Sequence, residues 1–291
     1  MKIAYTGATG YIGQTFKRVY QKLDFVPISY DLKKEEYFSP NNRNILDIRE
    51  ILAPLEILIH LGSFTPKNIY QSQDKILSKK NIESTLNLIS YNLPSLKHLI
   101  YISTIDVYDF AVKISEKTMP NPKSEYAISK LACEKILKKY AEERGILFSI
   151  LRVGSVYGPG ENSYQKVIPL MLKEFILNNQ ITIYGSGSAR RNFIYVEDVA
   201  RMIGEISIAS KQNQIMNLTG VSPTSIQELA EIIQKLIPDS KAIIKQIDSN
   251  LPSSDHDFNT TLMNSNFSDF KFMPLVDGLY NEFTFIKSQL P

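Results

Sequence analysis

The sequence has few of the residues that build disulfide frameworks and metal sites. Among its 291 residues there are only 1 cysteine and 3 histidines, namely Cys133, His60, His98 and His256. A single cysteine cannot form an internal disulfide, and the scattered histidines lack the spacing of metal ligands. We therefore expect no bound metal and a reducing, cytoplasmic environment.

Long apolar runs and an excess of one charge are also absent. No run of about 18 uncharged apolar residues occurs, so we expect no membrane span, and the N-terminus lacks the pattern of a signal peptide. The 33 Lys and Arg residues nearly balance the 30 Asp and Glu residues, which gives a net charge of +3. No basic stripe interleaved with aromatic residues stands out, and this argues against nucleic-acid binding. The composition is typical of a compact soluble protein.

What is present is an alternation of short β-branched or apolar runs with helical patterns. This alternation indicates an α/β fold, with a parallel sheet covered by helices on both faces. The predicted strands are Lys2–Tyr5, Phe25–Tyr30, Ile57–His60, Leu99–Ser103 and Leu147–Val153, and the predicted helices lie near residues 11–22, 74–92, 124–144 and 163–178. Past residue 155, turns rich in Gly and Pro separate shorter elements. We predict one larger domain over residues 1–155, to which a segment near 181–218 returns, and a smaller mixed α/β lobe over residues 156–291.

Three glycines follow the first predicted strand and open the first predicted helix. They are Gly7, Gly10 and Gly13, within the segment Thr6–Gly13. The first permits a tight turn, the second lets the backbone approach a pyrophosphate, and the third lets helix and strand pack closely. The amides at the helix N-terminus then face the anion. The pattern predicts a dinucleotide site, and the alternative is a glycine-rich turn without a ligand.

Asp31 closes the second predicted strand. An acidic residue at this place can hydrogen-bond both ribose hydroxyls of NAD and would repel the 2′-phosphate of NADP. Lys33 and Lys34 follow immediately and could soften that preference. We predict NAD over NADP, and the alternative is that Asp31 only shapes the turn.

Tyr126 and Lys130 are four residues apart on a predicted helix and so project from one face. A phenol with a pKa of about 10 is a poor base at neutral pH, but a neighbouring ammonium favours the phenolate. Tyr126 could then take a proton from a substrate hydroxyl. Ser103 and Thr104 end a strand, where a hydroxyl could hydrogen-bond the reacting oxygen. The alternative is an ordinary amphipathic helix with a solvated lysine.

Further motifs follow in a fixed order along the first 230 residues or so. The full set is Thr6–Gly13, Asp47–Ile48, His60–Ser63, Asn81–Thr85, Ser103–Tyr108, Tyr126–Lys130, Leu151–Gly160 and Arg191–Asp198. As an ordered set it resembles the extended short-chain dehydrogenase/reductases, of the NAD-dependent epimerase/dehydratase type that acts on nucleotide sugars. The resemblance implies a Rossmann-like doubly wound parallel sheet for binding the dinucleotide and a smaller C-terminal lobe for binding the substrate.

The resemblance also implies roles for individual residues. The catalytic residues would be Thr104, Tyr126 and Lys130. The cofactor-binding residues would be Gly7, Gly10, Tyr11, Ile12, Gly13, Asp31, Asp47, Ile48, Leu61, Gly62, Ser63, Asn81, Tyr126 and Lys130. The substrate would contact Thr104, Ser155 and Arg191, and the forked cation of Arg191 suits its pyrophosphate. A homodimer formed through two helices, one of them 124–144, is also implied.

The sequence departs from the family pattern at three places. Ile105 and Asp106 stand where the 4,6-dehydratases of the family carry an Asp-Glu pair that eliminates water, so we do not expect dehydration. Ser155 stands where an asparagine usually contacts the substrate. No arginine occurs after Arg201, whereas the family usually has a second phosphate-binding arginine near the C-terminus.

The function predicted from these features is NAD(P)-dependent redox chemistry at C4 of a nucleotide-activated hexose. A 4-epimerase, which retains its NAD, is ranked first because Asp31 favours tight NAD binding. The alternative is an NDP-4-keto-6-deoxyhexose reductase, for which the short chain is typical. A remote alternative from another class is a non-catalytic dinucleotide sensor on the same fold, and the presence of Thr104, Tyr126 and Lys130 argues against it.

Overall fold

The computed structural model describes residues 1–31, 33–34, 36–38, 45–109, 111–161, 164–209, 212–237, 242–249 and 255–290, apart from the side chains of 45–47 and 111–112. Within these ranges, no helix combines the length and the hydropathy needed to cross a membrane.

The chain alternates strands and helices as the sequence pattern predicts. The strands are β1 Ile3–Thr6, β2 Phe25–Asp31, β3 Glu36–Phe38, β4 Ile57–His60, β5 His98–Thr104, β6 Ala111–Ile114, β7 Leu147–Val153, β8 Val156–Tyr157, β9 Gln180–Tyr184, β10 Arg190–Arg191, β11 Ile194–Tyr195, β12 Gln214–Leu218, β13 Thr224–Ser225, β14 Ile243–Ile247 and β15 His256–Phe258. The helices are α1 Tyr11–Val19, α2 Ile45–Leu52, α3 Ile69–Ser72, α4 Lys75–Ser90, α5 Glu125–Arg144, α6 Val167–Asn178, α7 Val196–Ala209, α8 Ile226–Gln234, α9 Thr261–Asn266 and α10 Leu275–Gln289. A short 3₁₀ helix at Ile105–Val107 follows β5.

The chain divides into two compact units. The first comprises residues 1–107, 120–153 and 199–216, and the second comprises 108–119, 154–198 and 217–291. Each unit has its own hydrophobic core. The later segment 199–216 therefore belongs with the N-terminal half of the chain rather than with its sequence neighbours.

The first unit contains a large sheet with strand order β12-β7-β5-β4-β1-β2-β3. The pairs β1–β2, β1–β4, β4–β5 and β5–β7 are parallel, and β2–β3 is an antiparallel hairpin. Strands β1, β4 and β5 are buried along their whole length, as parallel strands covered on both faces are. The predicted doubly wound, Rossmann-like sheet is thus confirmed.

The strand order also locates a crevice in the first unit. The chain leaves β1 for β2 on one side and later returns to β4 on the other side. Ligands of such sheets bind outside the carboxyl ends of the strands where the order reverses. The glycine turn after β1 and the loop after β4 therefore lie at the expected ligand edge.

All four predicted helices are shorter in the structure, and the largest differences at one end occur in α1 and α6. Helix α1 ends at Val19 and not at residue 22, because Tyr20 turns to pack on Phe16 and Phe25. Helix α6 begins at Val167 and not at residue 163, which places Pro169 in its first turn. Proline has no N–H for the helical ladder, so the first turn is where it is tolerated.

The second unit has smaller sheets and its own helical core. Its four-stranded sheet has the order β13-β10-β15-β6, and β9 pairs in parallel with β14. Helices α6, α8 and α10 contribute apolar residues to one core with β9, including Phe175, Ile181, Leu229 and Phe283.

A buried carboxyl group lies in this second unit. The Glu282 side chain of α10 is 0% exposed, and its Oε2 accepts a hydrogen bond from the Gly158 N–H at 2.9 Å. Its Oε1 has no hydrogen-bond partner within the described ranges. Burial, reinforced by the nearby Glu161 carboxyl, raises the pKa of Glu282 well above its ordinary value. The neutral form is therefore favoured in the folded protein.

We expect the Glu282→Gln variant to be more stable than the wild type above neutral pH. Since the folded-state pKa is raised, wild-type stability is fully present below the unfolded-state pKa and falls as the pH rises toward the folded-state pKa. Glutamine cannot ionise, so thermal unfolding should show a Tm gain of several degrees at about pH 8 and little gain at about pH 4, given roughly 2–4 °C per kcal/mol. The exposed Glu142→Gln is the matched control, and an equal gain at both pH values would contradict the expectation.

Candidate active site

The glycine turn leaves no room for side chains at two of its three glycines. Gly7 has φ +75°, and a Cβ there would lie 2.6 Å from the Gly62 nitrogen. A Cβ on Gly13 would lie 2.0 Å from the Gly7 carbonyl oxygen. At Gly10 an added Cβ would meet only the Gly7 oxygen, at 3.3 Å. Gly7 and Gly13 thus serve the packing of β1, α1 and the loop after β4, while Gly10 borders open space.

The N-terminus of α1 suits an anion. Gly10 is its cap residue and supplies no side chain to the first amides, and the first turn carries no acidic residue. Gly10 is exposed, and Tyr11 and Ile12 are half-buried. Uncapped amides and the helix dipole favour a phosphate at such an end. The turn therefore fits the pyrophosphate of a dinucleotide.

A chain of buried hydrogen bonds ties this turn to the helices behind the sheet. The Gly62 N–H donates to Thr6 Oγ1 at 2.8 Å, and Thr6 Oγ1 lies 2.7 Å from His60 Nδ1. His60 Nε2 lies 3.1 Å from Thr85 Oγ1, which donates to Cys133 Sγ at 3.3 Å. Burial lowers the pKa of His60 to about 3, so the imidazole is neutral. When the proton of the His60 imidazole is on Nε2, every donor in this series of hydrogen bonds has an acceptor. His60 is therefore a structural residue rather than a base.

Asp31 lies at the end of β2 and shapes the turn that follows. Its Oδ1 accepts hydrogen bonds from the Lys33 and Lys34 amides at 2.9 and 3.2 Å. Ile48, in α2, is fully buried in the core of the first unit, whereas the side chain of Asp47 lies outside the described residues. Cofactor contacts of these three residues remain predictions.

The loop after β4 is held by a buried amide. Asn81 Oδ1 accepts a hydrogen bond from the Phe64 N–H at 2.6 Å, and its Nδ2 donates to Ser129 Oγ at 3.0 Å. Asn81 is 1% exposed. Asn81 therefore connects the Leu61–Phe64 loop to α5. This residue, which the sequence predicts to bind the cofactor, holds the loop in place.

Helix α5 brings the predicted tyrosine and lysine to the carboxyl edge of the sheet. It begins at the cap residue Ser124, whose Oγ accepts from the Ala127 N–H at 3.1 Å, and ends at Gly145 with φ +64°. Tyr126 lies in its first turn, nearly buried, with its ring edge-on to Phe64 at 6.4 Å.

Lys130 lies one turn further along α5 and is 2% exposed. Its Nζ donates to the Ile102 carbonyl at 2.5 Å and to Ser63 Oγ at 3.1 Å, and lies 4.4 Å from the centroid of the Tyr101 ring. Burial lowers the pKa of Lys130 to about 8, although Cys133 and Glu134 oppose the shift. The amine is therefore mostly protonated at neutral pH and is anchored between β5 and the loop after β4.

Thr104 and Ser103 both offer a hydroxyl at the end of β5, but their surroundings differ. Thr104 ends β5, and its Oγ1 accepts a hydrogen bond from the Asp106 N–H at 3.2 Å. Ser103 Oγ donates to Glu134 Oε1 at 2.5 Å and is buried. Because Ser103 already donates its proton to a carboxylate, Thr104 is the better candidate to donate a hydrogen bond to a reacting oxygen.

The acceptor of that bond belongs to an ion pair that the sequence analysis missed. Arg152 of β7 donates from Nε to Glu134 Oε1 at 3.0 Å and from Nη2 to Oε2 at 2.7 Å. Both side chains are 4% exposed. The signal available in the sequence was the spacing of Glu134, which lies four residues after Lys130 on the same helix.

The predicted substrate residues belong to the second unit. Arg191 lies in β10, is half-buried, and donates from Nη1 to the Arg190 carbonyl at 2.8 Å. The Ser155 N–H donates to the carbonyl of Asn192, the residue after Arg191, at 3.2 Å. The structure therefore brings Ser155 next to the strand that carries Arg191.

Comparison with known proteins places the chain in a family. The model of the NAD dependent epimerase/dehydratase family matches residues 3–219. The chain belongs to this family, as its ordered motifs predict.

The relatives are remote, and several of them match over most of the chain. The uncharacterized UDP-glucose epimerase YtcB of Bacillus subtilis (strain 168) is 26% identical over 262 residues, covering 81% of this chain and 82% of that protein. The dTDP-D-glucose 4,6-dehydratase of Dictyostelium discoideum is 27% identical over 271 residues, which cover 81% of this chain and 61% of the dehydratase. The crystal structure of UDP-glucuronic acid 4-epimerase from Bacillus cereus, in complex with UDP-glucuronic acid and NAD, has a TM-score of 0.81 at 24% identity, with 100% of both chains covered.

Proposed function

We propose that this chain is an NAD-dependent 4-epimerase of nucleotide-activated hexoses. The observation that carries the proposal is the placement of Tyr126 and Lys130 on α5, with the Lys130 amine bonded to β5 and to Ser63 beside the glycine turn. The family membership and the epimerases among the similar proteins support the same activity.

The residues of the first unit fit an NAD molecule in this proposal. The amides that open α1 would hold its pyrophosphate, Asp31 its ribose hydroxyls and Asp47 its adenine, while Leu61, Gly62 and Ser63 would line the loop beside it. Ile48 is fully buried and would hold the helix segment that carries Asp47 in place. When bound, NAD would supply a hydride acceptor that later returns the hydride.

Tyr126 acts as the base and then the acid for the C4 hydroxyl in this scheme. The Lys130 ammonium favours the charged form of a neighbouring phenol because opposite charges attract in a poorly solvated site. Thr104 donates a hydrogen bond to the same substrate oxygen. Tyr126 would return the proton to the same oxygen when the hydride returns to the opposite face of C4, so no net oxidation results.

The second unit supplies the recognition of the substrate. The guanidinium of Arg191 has the geometry to pair with a pyrophosphate through two hydrogen bonds. Ser155, on the neighbouring segment, offers a hydroxyl to the sugar. Ile105 and Asp106 lack the acid of the dehydratase pair, so dehydration is not expected even though dehydratases are among the relatives.

The decisive experiment is incubation of the protein and NAD with a panel of nucleotide hexoses, followed by NMR of the product at C4. We expect the 4-epimer to accumulate to equilibrium without net reduction of NAD. Stoichiometric consumption of a reduced nicotinamide with a 4-keto nucleotide sugar would instead identify the reductase alternative. Dinucleotide binding without any turnover would identify the sensor alternative.

We further propose that NAD is preferred over NADP because of the Asp31 carboxylate. The Asp31→Asn variant tests this, since asparagine keeps an oxygen for the Lys33 and Lys34 amides but carries no charge. The ratio of the NADP and NAD dissociation constants should fall by about tenfold, the scale of a close like-charge contact. An unchanged ratio, measured by fluorescence titration with the reduced cofactors, would leave Asp31 only its turn-forming role.

We also propose a cytoplasmic homodimer that pairs through α4 and α5. Ile76 and Leu86 on α4 and Ile128 on α5 are 77%, 47% and 46% exposed, which is costly for large apolar side chains. The free, buried Cys133 suits a reducing compartment. Sedimentation equilibrium should give twice the chain mass for the wild type and a monomer for Ile76→Asp. A monomeric wild type would exclude this interface.

A further inference from the structure

The ion pair of Glu134 and Arg152 is buried directly behind the proposed catalytic residues. Glu134 accepts three hydrogen bonds, one from Ser103 on β5 and two from Arg152 on β7. Ser103 and Arg152 are register partners on adjacent strands. One carboxylate of α5 therefore binds paired residues of two adjacent strands.

These hydrogen bonds of Glu134 lie next to those that hold the Lys130 amine. Lys130 Nζ donates to the Ile102 carbonyl, and one turn later Glu134 accepts from the side chain of Ser103, the following residue. Helix α5 is thus fixed to consecutive residues of β5, the strand that ends in Thr104. A slip of the helix along the strand would break both contacts and change the distance between the Tyr126 and Thr104 hydroxyls.

Glu134 also acts on the charge of Lys130. This amine faces His60 on β4 and the Tyr101 ring on β5, and Cys133 and Glu134 lie near it on its own helix. His60 is neutral, and burial raises the pKa of Tyr101 well above its ordinary value, so its phenol is neutral as well. Burial lowers the pKa of Lys130, and Cys133 and the Glu134 carboxylate oppose this effect.

We propose that Glu134 is a positioning residue of the epimerase, which fixes Tyr126 and Lys130 against the strand of Thr104 and holds the positive charge on Lys130. The effect of Glu134 on kcat rests on the proposed function, whereas its effect on the placement and charge of Lys130 does not. Arg152 and Ser103 are the partners through which Glu134 keeps its place. None of the three needs to touch the substrate.

The Glu134→Gln variant separates charge from shape. Glutamine can still accept the hydrogen bond from Ser103, but it removes the negative charge near Lys130. In apo-protein labelled with ¹³C at the lysine ε-carbon, the Lys130 resonance, assigned with Lys130→Arg, should titrate at lower pH than in the wild type. The exposed Glu142→Gln on the same helix should titrate as the wild type does.

The kinetic readout is the pH profile of kcat. The limb on which activity falls at high pH should move to lower pH in Glu134→Gln, with a loss of about tenfold on that limb for one unit of displacement. KM for the nucleotide sugar should stay unchanged, because Glu134 does not contact the substrate.

A double variant distinguishes positioning from mere stability. Glu134→Gln with Arg152→Met removes the whole buried pair, and such replacements are often neutral for stability. Glu134→Gln alone should lower the Tm, because it leaves the Arg152 guanidinium buried without its counter-charge. We expect the double variant to regain the wild-type Tm but to keep the displaced Lys130 titration and the lowered kcat. Full recovery of kcat with the Tm would overturn the proposal, and so would an unchanged Lys130 titration in Glu134→Gln. If the wild type shows no epimerase activity but the Lys130 titration shifts as expected in Glu134→Gln, only the proposed function is refuted.

Discussion

Replacing Tyr126 by phenylalanine is expected to lower kcat by about 10²–10⁴-fold, the range contributed by a positioned proton donor and acceptor. Phenylalanine keeps the edge-on contact with the Phe64 ring and removes only the hydroxyl group. Dissociation constants for NAD should therefore stay close to the wild-type value. Single-turnover epimerisation and a fluorescence titration measure the two quantities.

Tyr140 provides the matched control for this variant. It lies on the same helix and is 7% exposed, as is Tyr126, but its ring packs against the Arg144 guanidinium at 4.1 Å. Tyr140→Phe should leave kcat within a factor of about two, because its ring lies three turns from Lys130 and outside the proton path. If Tyr126→Phe and Tyr140→Phe behave alike, Tyr126 is not the base.

Replacing Gly13 by alanine is expected to abolish cofactor binding and to destabilise the protein by about 3 kcal/mol or more, at the upper end of overpacking costs. The added methyl group would lie 2.0 Å from the Gly7 carbonyl oxygen, which is backbone and cannot turn aside. Helix α1 would have to move away from β1, and its amides would leave the phosphate position. Chemical denaturation of the apo-protein and calorimetric titration with NAD measure the two effects.

Gly10→Ala separates folding from binding at the same turn. Its methyl group would meet only the Gly7 oxygen, at 3.3 Å, so the apo-protein should lose less than about 1 kcal/mol of stability, as expected for a contact that a small shift relieves. Binding of NAD should nevertheless weaken, because the methyl group would point into the space reserved for the pyrophosphate. Normal NAD binding by both variants would exclude the glycine turn as the phosphate site.

The strands of the sheet illustrate what local pattern can predict. Strands β4 and β7 have the predicted bounds, because runs dominated by apolar and β-branched residues between turn residues leave little choice of end points. The ends of α1 and α6 were misplaced by three and four residues, since the packing of Tyr20 and the place of Pro169 decided them. Family membership was likewise predictable, because an ordered set of motifs is a property of the chain itself. The domain bounds, the NAD preference and the dimer stay predictions.

The sequence by itself determined the glycine turn and the shared face of Tyr126 and Lys130, because both depend on spacings within one turn or one helix. Only the tertiary structure decided which polar groups are already paired. It joined Glu134 to Ser103 and to Arg152 across 31 and 18 residues of sequence, and it set the Lys130 amine between Ile102 and Ser63. The physical reason is that a buried hydroxyl, carboxylate or ammonium must find partners wherever the packed elements bring them, and no local pattern records that meeting.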